Sequence, residues 1–327
     1  MKSKQIILVI ALAAILAVAF IFYKNNFLKN HTASQNSDSS NAVWHAPDTS
    51  LLSSTSEGQL ILYGRQLISN TSKYLGPKGK VAVLTNGMNC QNCHLDAGAK
   101  PFANCFAAVA ANYPQLRNRS GIIESIEFRI NDCLQRSLNG NTIDSNSKEM
   151  RAMVAYLKWI GKDVPKKSKP NGSGNDIPFL SRAADSAKGQ IVYINKCERC
   201  HGKNGEGILK YDSTEYIYPP LWGNNSYNNG AGLYRLTRFA GYVKFNMPFD
   251  KGTNKTLELT NEEAWDVAAF VNSKPRPEKN FPHDWPDIKK KSIDYPYGPF
   301  ADSFSAKQHK YGPFEPIDKV RQSTAKK

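Results

Sequence analysis

Apolar positions along the chain fall into four helix-period patterns, separated by polar or proline-rich stretches and preceded by one long uncharged run. The first pattern covers Gly58 to Ile68. The second covers Glu149 to Ile160, where Met150, Met153, Val154, Leu157, Trp159 and Ile160 form one apolar face. The third covers Ala183 to Asn195, and the fourth opens at Thr260-Asn-Glu-Glu263 and continues to Val271. The Thr and Glu of that opening can satisfy each other's backbone N–H groups, which marks a helix start. Val154-Ala155 and Val267-Ala268 take similar places in the second and fourth patterns. Two helix pairs therefore predict a mainly α chain with two similar domains in tandem, residues 57–163 and 177–274. Residues 164–176, with two prolines and two glycines, read as a linker. Residues 25–56 are rich in Asn, Ser and Thr and read as a flexible, solvated stalk. From residue 275 to 327 Pro, Lys, Tyr and Phe recur without a period, so this C-terminal extension is expected to be irregular.

The uncharged run from Ile6 to Tyr23, flanked by Lys2, Lys4 and Lys24, assigns residues 1–24 to a signal or membrane anchor. Ala17-Val18-Ala19 offers a small-residue cleavage site, but Phe20 to Tyr23 continue the apolar run beyond it, which favours an uncleaved anchor over a cleaved signal peptide. With no cysteine near the run, a lipoprotein anchor is excluded. Either way the body is expected on the periplasmic side of the cell envelope. That placement changes the meaning of the charge. The 327 residues carry a formal net charge of +15, which on an intracellular protein would suggest nucleic acid. On an exported one it points to an anionic substrate, an acidic partner or an anionic membrane surface. Apolar residues at 40% and charged residues at 22% describe a globular chain, and six cysteines are too few for a disulfide scaffold.

Four of those cysteines have an evident use. Cys90-Gln-Asn-Cys93-His94 and Cys197-Glu-Arg-Cys200-His201 are both C-x-x-C-H, the attachment signature of c-type haem. Two thiols three residues apart add to the two vinyl groups of one haem, and the adjacent imidazole reaches the iron. Two covalently bound haem c groups are therefore expected. A zinc site would need neither histidine directly after its cysteine pair nor pairs so far apart in the chain, and a thioredoxin-like motif does not explain the repeated histidine. Gly202, Gly205 and Gly207 follow the second motif as turn formers, not as a phosphate loop, since no strand precedes them. Each iron has a second axial position, whose occupant sets its potential. In the second domain Met247, in Asn-Met-Pro, is the only methionine after Met153 and is the expected ligand, with Lys244 as the alternative. Met150 and Met153 lie on an apolar helix face and read as core.

Cys105 and Cys133 are left over, and in an exported protein they could pair as a disulfide. The surroundings of Cys133 suggest otherwise. Arg129 and Ser137 fall on its helix face at i−4 and i+4, and Arg117 and Arg119 lie shortly upstream. Arginines stabilise a thiolate, the form of cysteine that ligates metals and attacks sulfur. The plainer reading has these arginines on a solvated helix, paired with Glu124 and Glu127.

The order of C-x-x-C-H, Asn112-Tyr-Pro114, Arg117-Asn-Arg119, R-I-N-x-C-x-x-R-S-x-N-G around Cys133, a second C-x-x-C-H and Asn-Met-Pro resembles the dihaem cytochrome c thiosulfate dehydrogenase (tetrathionate synthase) family, over about Trp44 to Pro275. The resemblance implies two cytochrome c-like haem domains and an enzyme that oxidises two thiosulfates to tetrathionate, with the reverse reaction open to some members. It implies Cys133 as distal ligand of the first haem and as a residue of the substrate site. Arg119, Arg129 and Ser137 match family positions lining that site, Met247 matches the second-haem ligand, and Cys105 has no counterpart. Electrons would leave through the His/Met haem to an acceptor such as a small cytochrome c. Two readings compete: a dihaem electron carrier without its own substrate, and a thiosulfate-transferring cytochrome of sulfur oxidation.

Overall fold

Gly64 and Gly189 show how closely the two helix pairs pack. An added Cβ at Gly64 would lie 2.0 Å from the Ala152 carbonyl oxygen, and one at Gly189 would lie 1.9 Å from that of Asp266. Only a residue without a side chain lets these backbones meet. In a computed structural model, which describes residues 42–325 apart from Ser53, Ser213 and 252–255, the first pair is α1 (Ser56–Ser69) and α3 (Lys148–Ile160). Between them lies α2 (Ile126–Arg136). The second pair is α4 (Ser186–Lys196) and α6 (Asn261–Ser273), with α5 (Leu236–Asn246) packed on α6. The same crossing thus occurs once in each half. Leu67, Met150, Met153, Tyr156 and Ile160 centre one core, and Phe239, Trp265 and Phe270 centre the other. Each such fully buried side chain contributes about 1.5–3 kcal/mol. The helix start at Thr260 forms as its sequence suggests: Thr260 Oγ1 accepts from Glu263 N at 3.1 Å, and Glu263 Oε2 accepts from Thr260 N at 2.8 Å.

Among the described residues, strands occur only as two short antiparallel hairpins. In the first, β1 (Gln115–Leu116) pairs with β2 (Ile123–Glu124), Gln115 opposite Glu124 and Leu116 opposite Ile123. In the second, β3 (Ile208–Leu209) pairs with β4 (Tyr216–Tyr218), with a register shift between Ile208 and Leu209. The first hairpin presents Arg119 in its turn. It runs directly into α2, whose first turn is capped by Ser125 Oγ accepting from Phe128 N at 3.2 Å.

Two stretches differ from their sequence-based expectations. The run from Ile6 to Tyr23 and the first part of the stalk lie outside the described residues, but the stalk's last part is docked: Trp44, Ala46 and Leu52 pack on the first core, and Trp44 N donates to Asn171 O at 2.9 Å. The 164–176 segment is free of helix, in keeping with its prolines and glycines, and it is tied to the body. Gly172 O accepts from Phe102 N at 2.6 Å, and Asn175 Nδ2 donates to Phe102 O at 3.3 Å. The C-terminal extension is not irregular throughout. It ends in α7 (Ala306–Tyr311) and α8 (Glu315–Ala325), and Phe314 and Ile317 enter the second core. Among the described side chains of α8 only Ile317 is buried, too little to produce a visible period, since periodicity needs several apolar positions on one face.

Asp294 pins this extension to the body. Its carboxylate accepts from Arg235 Nε at 2.8 Å and from Thr237 N and Oγ1 at 3.1 and 2.6 Å. Burial pushes the Asp294 carboxyl up, but Arg235 and these hydrogen bonds outweigh it and hold the group below its ordinary value. Its folded-state pKa is therefore lower than its unfolded one, so the contribution is present above the unfolded value of about 4 and is lost as pH falls through the folded value. Asp294→Asn is expected to lose about 2 kcal/mol at pH 7. In denaturant titrations at several pH values, the gap to wild type should close below about pH 4. A gap independent of pH would refute the ionic role.

Candidate active site

Cys90–Asn92 form a tight 3-10 turn that leads to Cys93 and His94 and is tied to the short helix Thr71–Leu75: Cys90 N donates to Thr71 Oγ1 at 3.0 Å, and Ser72 N donates to Asn89 Oδ1 at 2.8 Å. Burial pushes the Cys90 thiol up to about 11 and the Cys93 thiol up to about 12. Burial also depresses the His94 imidazole to about 4, so it is neutral at physiological pH. Its Nδ1 lies 2.5 Å from the Asn104 carbonyl oxygen. A carbonyl only accepts, so Nδ1 carries the proton and Nε2 keeps its lone pair for a metal. The second motif repeats this arrangement. His201 Nδ1 lies 2.9 Å from the Pro219 carbonyl oxygen, and burial lowers its pKa too. Gly202, Gly205 and Gly207 all have positive φ, as turns demand, and Gly205 lies where a Cβ would strike the Trp222 ring at 2.3 Å.

A cavity of about 450 Å³ adjoins the second motif. Cys197, Cys200 and His201 line it together with Met247, while Leu221 and Val243 supply apolar wall. Lys244, the alternative ligand, does not line it, and its ammonium donates to the Leu259 carbonyl. Cys93 and Leu95 of the first half border the same cavity, and Tyr242 Oη reaches across to donate to Asn92 O at 3.0 Å. The two C-x-x-C-H motifs, far apart in sequence, are neighbours in space. Paired thiols, a neutral imidazole with a free Nε2, a thioether and an apolar cavity are the donor set and the space that a c-type haem requires.

Cys133 stands on α2 close enough to the first motif that a thiolate there opposes ionisation of both Cys90 and Cys93. It is also the neighbour that most raises the pKa of Arg129, ahead of Asp132 and against burial. Cys105 is elsewhere. It is a free thiol, 3.3 Å from Gly172 O beside Ala107, Ala111 and Val164, so the Cys105–Cys133 disulfide does not form. Ser137 caps the C-terminus of α2, with its N–H on Cys133 O at 2.8 Å.

The arginines do not pair with Glu124 and Glu127. They converge instead on Asp132: Arg129 Nη1 and Arg136 Nε donate to it, and Arg119 Nη1 stands 3.7 Å away. Burial pushes the Asp132 carboxyl up, and the three guanidiniums override this and hold it below its ordinary value. Glu124 accepts from Ser120 Oγ at 2.8 Å instead. Arg136 makes two further bonds, Nη1 and Nη2 to the two oxygens of Asp284 at 2.8 and 2.7 Å. Sequence reading missed Asp132, Arg136 and Asp284 as site residues. The first two were accessible, because Asp132 lies at i+3 from Arg129 and i−4 from Arg136 on one helix. Asp284 carries no local signal. Three guanidiniums gathered on Asp132 near the Cys133 thiol, with Arg129 partly exposed, are a setting for an anionic sulfur compound.

Comparison with known proteins agrees with this geometry. Residues 81–165 match the family described as SoxA/TsdA, cytochrome c domain, and residues 186–275 match cytochrome c. A thiosulfate dehydrogenase of Psychrobacter arcticus is 36% identical over 242 residues, covering 74% of this chain and 71% of that protein. One of Allochromatium vinosum is 36% identical over 235 residues, covering 71% of this chain and 83% of that protein. Among solved structures, the thiosulfate dehydrogenase TsdBA of Marichromatium purpuratum superimposes with a TM-score of 0.66 at 30% identity, covering 72% of this chain. This chain spans 50% of the length of that one.

Proposed function

Since the chain belongs to the thiosulfate dehydrogenase family of dihaem cytochromes c, we propose that this oxidoreductase joins two thiosulfates into tetrathionate, or runs that reaction in reverse. Cys90 and Cys93 would hold one haem covalently, and His94 and Cys133 would be its iron ligands. Cys197 and Cys200 would hold the other, with His201 and Met247 as iron ligands. Haem held at these residues would supply one-electron redox chemistry, the route by which the two electrons released on S–S bond formation would reach an external acceptor. The basic surface suits an acidic small cytochrome c as that acceptor, and the N-terminal apolar run supports a periplasmic location with a membrane anchor.

The observation that carries this reading is a cysteine within electrostatic reach of the Cys90–Cys93 pair and of Arg129, one of three guanidiniums gathered on Asp132. Two dianions about 5 Å apart repel by about 13 kcal/mol at an effective dielectric constant of 20, so their union needs fixed positive charge. Arg119 and Arg129 provide it, and their N–H groups fork onto sulfonate oxygens. The Ser137 hydroxyl, one turn from Cys133, donates to the same anion. The Cys133 thiolate joins the outer sulfur of the first thiosulfate, giving Cys–S–S–SO3⁻ with the loss of two electrons. The second thiosulfate attacks the bound sulfane sulfur. Tetrathionate departs and the thiolate returns, with no proton gained or lost.

The test uses the purified holoprotein with thiosulfate and an artificial acceptor, without oxygen. One tetrathionate should appear per two electrons accepted. If neither the haems nor the acceptor is reduced, the chain is a carrier and the proposal fails. Turnover by the protein alone also separates it from thiosulfate-transferring cytochromes that need a partner subunit.

A further inference from the structure

We propose that the C-terminal extension, through Asp284, is a positioning element of the substrate site, holding the arginine cluster in its anion-binding arrangement. This rests on the thiosulfate site proposed above. The extension lies outside both haem domains, yet residues 281–285 cover the arginines. Arg136 is wholly committed: Nε to Asp132, both Nη atoms to Asp284, and its guanidinium 3.7 Å from the centre of the Phe281 ring. With its side chain 9% exposed, it has no face left for a ligand. Its role is to tether. By gripping Asp132 Oδ1 from one side and Asp284 from the other, it fixes the carboxylate whose second oxygen orients Arg119 and Arg129.

Arg119 is braced by the same segment. Its backbone carbonyl accepts from Trp285 N at 2.6 Å, its guanidinium lies 5.8 Å from the centre of the Trp285 ring, and its Nη1 donates to Gly230 O at 3.3 Å. Unlike Arg136, Arg119 and Arg129 keep N–H groups free of these partners, and Arg129 is the most exposed of the three, at 35% of its side chain. Two arginines thus stay available for an oxyanion because the third is fully occupied. Near the far end of α2, Lys279 Nζ donates to Gly140 O at 2.7 Å, and Asn228 Nδ2 donates to Gln135 O at 2.8 Å, closing the helix end under the extension.

Asp284→Asn removes the carboxylate and also adds one positive charge to the cluster. A site that needed only net charge would bind thiosulfate as well or better. A site that needs held geometry binds it worse. The expected result in the holoprotein is a rise in Kd for thiosulfate, by calorimetry without acceptor, and in KM, each of about 10- to 100-fold, the range over which misplaced binding groups act. Haem content and spectrum should stay as in wild type, and Asp284→Glu should recover most of the loss. A Kd and KM equal to or below wild type would overturn the inference, as would a loss that Asp284→Glu leaves unchanged. If Asp284→Asn does not fold, the Asp284→Glu and Phe281→Leu variants carry the test, each expected to raise Kd severalfold. Failure of the functional reading looks different, because wild type itself then neither binds nor oxidises thiosulfate.

Discussion

Replacing Cys133 with alanine is expected to cut thiosulfate-dependent acceptor reduction by at least about 1,000-fold, because it removes the sulfur that forms the covalent adduct. Both haems should remain attached. The attachment thiols and His94 sit on a separate turn held by Thr71 and Asn89, which the substitution does not touch. Arg129 would lose the neighbour that most raises its pKa but would keep Asp132. Haem content, steady-state turnover and electron resonance, read together, divide the two roles given to this residue. Cys133→Ala should abolish both turnover and the thiolate signature of the first haem. Cys133→Met, which retains a sulfur donor but has no thiolate to join thiosulfate, should restore low-spin ligation without restoring turnover. Near-normal oxidation by the alanine variant would eliminate Cys133 from the chemistry.

The second large effect is on electron outflow. Met247→His is expected to lower the midpoint potential of the second haem by on the order of 150 mV, because a thioether favours ferrous iron more than a second imidazole does. For one electron each 59 mV is a factor of ten, so delivery of an electron to that haem becomes about 300-fold less favourable. Thiosulfate oxidation should slow accordingly, while the reverse reaction is favoured. Spectropotentiometry and turnover in both directions check this. A potential equal to that of wild type would remove Met247 from the iron. Lys244→Ala serves as the contrast, since that side chain is bound to the Leu259 carbonyl and lies off the cavity. Its replacement should leave the potential unchanged.

The helix patterns at Gly58–Ile68, Glu149–Ile160, Ala183–Asn195 and Thr260–Val271 were legible because amphipathic periodicity and capping are local. The observed helices match them to within a few residues at each end. The two C-x-x-C-H motifs were legible for the same reason, since one turn of chain contains the whole signature. Cys133 stood out from the arginines at short range around it. Asp132 lies within the same ten residues, but a carboxylate among arginines looks like ordinary helix pairing until its burial is known.

What sequence alone determined is therefore the set of covalent and near-neighbour facts: two helix pairs, two haem-attachment turns, a cysteine in basic surroundings and a methionine in the right half. Tertiary structure decided which distant groups share a site. It brought Cys93 to the cavity of the second motif, set Met247 rather than Lys244 on its wall, and kept Cys105 away from Cys133. It also drew Asp284 onto Arg136, 148 positions away in the chain. Pairings of this kind depend on where whole elements dock, and neither a period nor a spacing records that. The C-terminal extension shows the difference most plainly: aperiodic as a string of residues, it is anchored by Ile317 and Asp294 and lays residues 281–285 against the arginine cluster.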